Sequence, residues 1–189
     1  MIITISGKPG SGKSTIAKEL SKILGYKRYY IGGMRREIAR KLGITLAELN
    51  KRDEEEFFSD RIVDERIVEI AKNEDNVIIE GRTAFYFVPY SVKVFLDVDL
   101  REGARRIYQH SKEKARPEES YPSVEETYNA VCERMESDKR RYSKYYGFDC
   151  YDTSHYDIVI DTTNKPVEAV LKETLEKLER FGIKPKKQG

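Results

Sequence analysis

The stretch Ile2-Ile3-Thr4-Ile5-Ser6-Gly7-Lys8-Pro9-Gly10-Ser11-Gly12-Lys13-Ser14-Thr15 decides the architecture. Ile2 to Ile5 are all β-branched and the run stops at Gly7, the pattern of a short buried strand. From Ser14 the apolar residues Ile16, Ala17, Leu20, Ile23 and Leu24 recur at helical spacing, and Gly25 is placed as a C-cap. Between strand and helix, Gly7 to Ser14 fits Gly-x-x-x-x-Gly-Lys-Ser/Thr in full. Glycines in such a loop let successive N–H groups curl around an anion, and the helix N-terminus adds partial positive charge.

Moving outward, Val77-Ile78-Ile79, Val92 to Val98 and Ile158-Val159-Ile160 read as further buried strands. Helical patterns separate them. Arg35 to Leu42 forms one helix, and Thr45 with Glu48 makes a capping box for the next. A long amphipathic stretch from about Glu56 to Lys72 carries Ile62, Val63, Ile67 and Ile70 on one side. Later helices are expected from Leu100 to about His110 and from Val124 to about Tyr146. A closing helix carries an apolar stripe of Val167, Val170, Leu171, Leu175, Leu178 and Phe181. Strands alternating with helices imply a parallel, doubly wound α/β sheet. The polar stretch Ser111 to Ser123, with Pro117 and Pro122, is expected to be a mobile loop.

At 189 residues the chain suits one compact domain, 1–189, without an independent second core. A formal charge of +2 gives no field for a nucleic-acid polymer or a membrane surface, and no apolar run approaches a transmembrane helix. Cys132 and Cys150 are too far apart in sequence for a metal knuckle. With no secretory signal ahead of the first strand, a cytoplasmic monomer is the expectation.

The loop points to a nucleoside triphosphate and its divalent ion. Gly7, Lys8, Pro9, Gly10, Ser11, Gly12, Lys13, Ser14 and Thr15 are the candidate ATP-binding residues. Lys13 would bridge the β- and γ-phosphates and Ser14 would ligate Mg²⁺. Glu80-Gly81-Arg82 follows the third strand directly, at the carboxyl end where open α/β sheets bind ligands. Glu80 would lie near the metal, and Arg82 would meet a phosphate on the acceptor. Arg36, just after Gly32-Gly33, is a second candidate for that phosphate, with Arg35 beside it. Arg134, Asp138 and Arg141 share one helical face, so Arg134 and Arg141 are candidates to stabilise the transferring phosphoryl group. Arg105 and Arg106 lie near the same region.

With these residues in view, the whole chain resembles the nucleoside monophosphate kinases, most closely the short cytidylate kinases of the archaeal type. The resemblance rests on the loop, on Gly32 to Ile44, and on Val77 to Arg82. It is most specific from Glu133 to Asp161, where Arg134, Arg141-Tyr142, Tyr146-Gly147 and Tyr156-Asp157 fall in the family's pattern. It implies a P-loop kinase of three α/β/α layers with a five-stranded parallel sheet, an acceptor-binding region over residues 32–72 and a mobile lid over residues 109–145. The implied reaction is transfer from ATP, with Mg²⁺, to CMP or dCMP.

This chain departs from the family at Gly33, where relatives have Asp, and at Thr83, where bacterial relatives have Asp. Ile67 stands where archaeal relatives tend to have Gln, leaving Asp60, Arg61 and Asp64 as polar partners for a pyrimidine edge. UMP, AMP, a small alcohol acceptor, or a nucleotide-binding protein without turnover remain open at this point.

Overall fold

The computed structural model describes residues 1–113 and 121–186. Five strands form one sheet: β1 (Ile2–Gly7), β2 (Lys27–Tyr30), β3 (Val77–Glu80), β4 (Val92–Asp97) and β5 (Ile158–Asp161). Their order is β2-β3-β1-β4-β5 and every pairing is parallel. The helices are α1 (Lys13–Leu24), α2 (Ile31–Leu42), α3 (Leu46–Glu56), α4 (Phe58–Asn73), α5 (Ala84–Phe87), α6 (Leu100–Glu113), α7 (Val124–Tyr146) and α8 (Val167–Glu179). This is the expected α/β class with a five-stranded parallel sheet.

Alternation along the strands builds the layers. Ile3, Ile5, Ile78, Val94, Leu96, Ile158 and Ile160 turn to one face, where Ile16 and Leu20 of α1 and Leu178 of α8 cover them. Val77 and Ile79 turn to the other, against Val63, Ile67 and Ile70 of α4. Phe95 joins Tyr142, Phe148 and Tyr156 under α7. Burial of each such side chain contributes about 1.5–3 kcal/mol.

Several local readings hold. Gly25 closes α1 in the left-handed conformation, at φ 68°. Glu48 N–H donates to Thr45 Oγ1 at 3.1 Å while Thr45 N–H donates to Glu48 Oε2 at 2.7 Å. The helix expected from Val124 begins there, and its cap, not anticipated, is Ser123 Oγ accepting from Glu126 N–H at 3.1 Å.

Other readings are corrected. The edge strand β2, Lys-Arg-Tyr-Tyr, carries no apolar alternation and is invisible to a hydrophobic pattern. The helix expected from Arg35 begins earlier, at Ile31. The stretch from Glu56 to Lys72 is interrupted at Phe57, whose φ of 50° ends α3 and starts α4. Ile62 faces solvent at 37% exposure, as do Val167 and Phe181, because the buried arc is narrower than the apolar content suggested. Ser111 to Glu113 continue α6, and most of the polar connection expected over 111–123 lies outside the described residues.

The phosphate-type loop is wedged between β1 and α6. A Cβ on Gly10, at φ +78°, would lie 2.2 Å from Gly103 O, and a Cβ on Gly103 would lie 2.6 Å from Pro9 O. Both contacts are with backbone, which cannot swing aside. Gly103→Ala is therefore expected to lower stability by about 1–3 kcal/mol through overpacking. A thermal melt unchanged from the parent would show that the loop recedes freely.

Candidate active site

The sheet delivers its carboxyl ends to one edge, and β1 hands the chain into α1 there. Gly12 takes φ 84° and serves as the N-cap of α1, so first-turn N–H groups without helical acceptors face the cleft. Lys13 Nζ donates to Gly7 O at 2.9 Å and to Lys8 O at 2.8 Å, folding back over the loop. Burial of this ammonium, then the positive field of Arg82, lowers its pKa to about 7 against the pull of Glu80. Ser11 Oγ is buried with no hydrogen-bond partner, an unmet demand inside a polar loop.

Ser14 Oγ donates to Glu80 Oε1 at 2.6 Å. The two residues meet because Glu80 follows Ile78 on the sheet face covered by α1, whose first turn carries Ser14. A hydroxyl and a carboxylate are hard oxygen donors, and their convergence beside the loop fits Mg²⁺. Among the described residues no cluster of three or more His, Cys, Asp or Glu could hold a metal by protein ligands alone. A Mg²⁺ ion at this site would therefore rely on phosphate oxygens and water as well.

A cavity of about 510 Å³ runs along this edge. Pro9 to Thr15 line it together with Tyr30, Gly32, Arg36, Glu80, Arg82, Arg105, Arg106 and Arg134. The structure thus brings together seven of the nine loop residues with Glu80, Arg36, Arg82 and Arg134. Gly7 and Lys8 stay outside the lining. Gly7 presses on Leu96, where a Cβ would fall 2.1 Å from the carbonyl oxygen, and Lys8 Nζ pairs with Asp97 Oδ1 at 2.6 Å.

Arg82 is held from behind. Its Nε lies 2.8 Å from Asp138 Oδ2 and donates to Tyr151 OH at 2.9 Å. Asp138 Oδ1 accepts from Arg141 at 2.7 Å, and Arg141 Nε donates to Asp60 Oδ2 at 2.6 Å. Asp60 Oδ1 lies 3.3 Å from Arg35, which also pairs with Asp53 at 2.7 Å. Burial alone would raise the Asp138 carboxyl, but Arg82, Arg141 and Arg134 outweigh it and hold the group well below the usual carboxylate range.

Arg141 and Asp60 are the clearest departures from the sequence reading. Arg141, expected over the phosphates, has 0% exposure, and Asp60, expected at the acceptor, has 1%. Neither lines the cavity, because their charges neutralise each other in the interior. Asp64 is also buried, accepting from Thr83 Oγ1 at 2.5 Å and from Tyr146 OH. Burial raises its carboxyl to about 7, against the lowering effect of those hydrogen bonds. Thr83 is thereby committed to Asp64, and Ile67 lies at 0% exposure in the core.

One cleft residue, Tyr30, carried no sequence signal. Tyr30 lies over the start of α2, where a Cβ on Gly33 would meet its ring at 2.7 Å, and Arg36 donates to its hydroxyl. This contact accounts for glycine at position 33. Arg105 and Arg106, both noted in the sequence, line the cavity and pair with Glu102, and Arg106 also reaches Thr162 O and Thr163 O, each at 2.8 Å.

Comparison with solved structures places the chain among the P-loop kinases. A shikimate kinase from Aquifex aeolicus matches with TM-score 0.57 and 25% identity over 97% of this chain and 99% of that one. One from Bacteroides thetaiotaomicron gives 0.64 at 19% identity, covering 95% and 98%, a likeness of fold. A model described as the cytidylate kinase-like family matches residues 2–164. A cytidylate kinase of Sulfurisphaera tokodaii is 39% identical over 174 residues, 91% of this chain and 92% of the relative. Another, from Thermococcus kodakarensis, is 37% identical over 186 residues, 96% and 91% respectively. The chain belongs to the cytidylate kinase-like family and is a phosphotransferase of the nucleoside monophosphate kinase class.

Removing the Arg141 guanidinium would leave Asp60 and Asp138 facing each other with less compensation in the interior. Arg141→Met is expected to cost about 3–5 kcal/mol of stability, read by urea denaturation. A loss under about 1 kcal/mol would mean that the buried pairs contribute no more than surface ones do.

Proposed function

We propose that this protein transfers the γ-phosphoryl group of ATP to the 5′-phosphate of CMP or dCMP. The observation that carries the proposal is one cleft lined by a phosphate-binding loop, the Ser14–Glu80 pair, Arg36, Arg82 and Arg134. Loop and arginines are separate anion sites within one cavity, which suits a donor and an acceptor that both carry phosphate. The names of the relatives support cytidine as the acceptor's base.

In this reading Pro9 to Thr15 hold the donor phosphates through backbone N–H groups, and the idle Ser11 hydroxyl gains an acceptor. Lys13 leaves the carbonyls of Gly7 and Lys8 and moves onto the β- and γ-phosphates. Ser14 and Glu80 would hold Mg²⁺, which neutralises charge on the phosphates when bound. Arg36 and Arg82 orient the acceptor phosphate for in-line attack, and Arg134 stabilises the charge spread over the moving group. Arg141 and Asp60 act behind these groups by fixing Asp138 and thus Arg82. Within the acceptor-binding region at 32–72, Arg36 reaches the cleft, while Asp64 stays behind it, accepting from Thr83 and Tyr146.

An ADP-release assay across CMP, dCMP, UMP, AMP, GMP and phosphate-free acceptors tests the proposal. Turnover is expected to be fastest with CMP or dCMP, and absence of release with every acceptor would refute it. Lys13→Ala is expected to lower kcat by about 10²-fold or more without loss of folding, because its ammonium acts on transferring charge. Arg36→Ala should raise the KM for the acceptor and leave that for ATP in place.

The Lys13 pKa of about 7 gives a further check. At pH 8 the ligand-free side chain is mostly neutral, and a polyphosphate beside it favours the ammonium, so ATP binding should take up a proton. Calorimetry in buffers of different ionisation enthalpy measures that uptake. A binding heat independent of buffer would contradict it, and Lys13→Ala should abolish the dependence.

A further inference from the structure

The partner that holds Glu80 lies on the strand the hydrophobic pattern does not reveal. Arg28 pairs with Ile78 in the β2–β3 register, and Tyr30 pairs with Glu80. Registered neighbours in a parallel sheet point the same way, so Arg28, Tyr30, Ile78 and Glu80 share the face covered by α1. From there the Arg28 guanidinium extends toward the carboxyl edge. Its Nε donates to Glu80 Oε2 at 3.2 Å and its NH2 donates to the same oxygen at 2.5 Å. The other oxygen, Oε1, accepts from Ser14 Oγ.

The division of labour between the two oxygens is complete. Arg28 occupies Oε2, which fixes the carboxylate's rotation and leaves Oε1 aimed at α1 and the loop. The Glu80 side chain is 3% exposed and that of Arg28 is 22% exposed, so water competes little for either. Arg28 is itself steadied by the Tyr30 ring, whose centroid lies 5.2 Å from its guanidinium carbon. Tyr30 in turn can lie flat on the start of α2 because position 33 has no Cβ.

We propose that Arg28 is a positioning residue of the phosphoryl-transfer site, acting through Glu80 by setting which carboxylate oxygen faces Ser14 and the metal–nucleotide complex. The proposal rests on the reading of Ser14 and Glu80 as the metal end of the nucleotide site. Arg28 touches neither donor nor acceptor. Its contribution is to remove the alternative rotamers from which an unrestrained carboxylate would have to be recruited at each binding event.

Arg28→Met keeps the apolar stem and removes the donors. The first measurement is Mn²⁺ binding by electron paramagnetic resonance in the presence of a non-hydrolysable ATP analogue. The second is kcat with the KM values for Mg-ATP and CMP. Loss of a hydrogen bond behind a metal-ligating carboxylate typically costs about 10–100-fold in affinity or activity, so Mn²⁺ affinity and kcat are both expected to fall about tenfold or more, with the KM for CMP unchanged. Combined with Glu80→Gln, Arg28→Met should add no further loss, since both act through one group. If Arg28→Met does not fold, Arg28→Lys, which keeps one point-charge donor in place of the planar fork, should show a smaller fall in the same direction.

Undiminished Mn²⁺ affinity with only a lowered melting temperature would overturn the proposal, leaving Arg28 as a tie between β2 and the sheet. A raised KM for CMP with intact Mn²⁺ affinity would also overturn it, by placing Arg28 on the acceptor. Failure of the parent protein to bind Mn²⁺ with the nucleotide would overturn the metal reading and the inference together, which separates the two kinds of failure.

Discussion

Asp138 accepts from Arg141 on one carboxylate oxygen and meets Arg82 and the Tyr151 hydroxyl on the other, at 1% exposure. Two guanidiniums cannot be buried side by side without such a shared counterion, and a carboxylate cannot be buried there without them. From this junction one chain of contacts runs through Arg141 and Asp60 to Arg35 and Asp53, tying α7 to α2, α3 and α4. Another runs outward to Arg82 at the cleft. The arginine that lines the cavity is therefore placed by the same charges that hold the helical layers together, so site geometry and packing are not independent properties.

The electrostatics of the cleft follow a similar economy. Burial lowers Lys13 to about 7, so its ionisation is incomplete near neutrality, while Asp138 is held ionised by its arginines. One group is kept in reserve for a ligand's charge, and the other is committed to the interior. Glu80 is shared between two partners, with one oxygen engaged by Arg28 and the other turned to Ser14.

The phosphate-binding loop, the central strands, the capping box at Thr45 and the α/β class were all legible in the sequence because each depends on local order: glycine spacing, β-branched runs, a Thr and Glu three apart. The roles of Arg141 and Asp60 were not. Helical spacing places Arg134, Asp138 and Arg141 on one face, but it does not say what that face meets. Eighty-one positions separate Arg141 from Asp60, and no local pattern encodes their contact. Strand β2 was hidden for a related reason: at the sheet's edge, Arg28 and Tyr30 occupy positions where a central strand would place aliphatic residues. Glycine at position 33, a departure from the family pattern, has its physical reason in the Tyr30 ring lying against it, a contact no local pattern encodes.

The backbone contact between Pro9 and Gly103 ties the loop to α6 at a point near that helix's first turn. About ten residues of α6 follow Gly103, roughly 15 Å of rigid rod at 1.5 Å per residue. Three residues beyond Gly103, Arg106 ties that rod to the carbonyls of Thr162 and Thr163. Without a side chain at either glycine the bearing surfaces are peptide planes, so no rotamer change can absorb a shift between loop and helix.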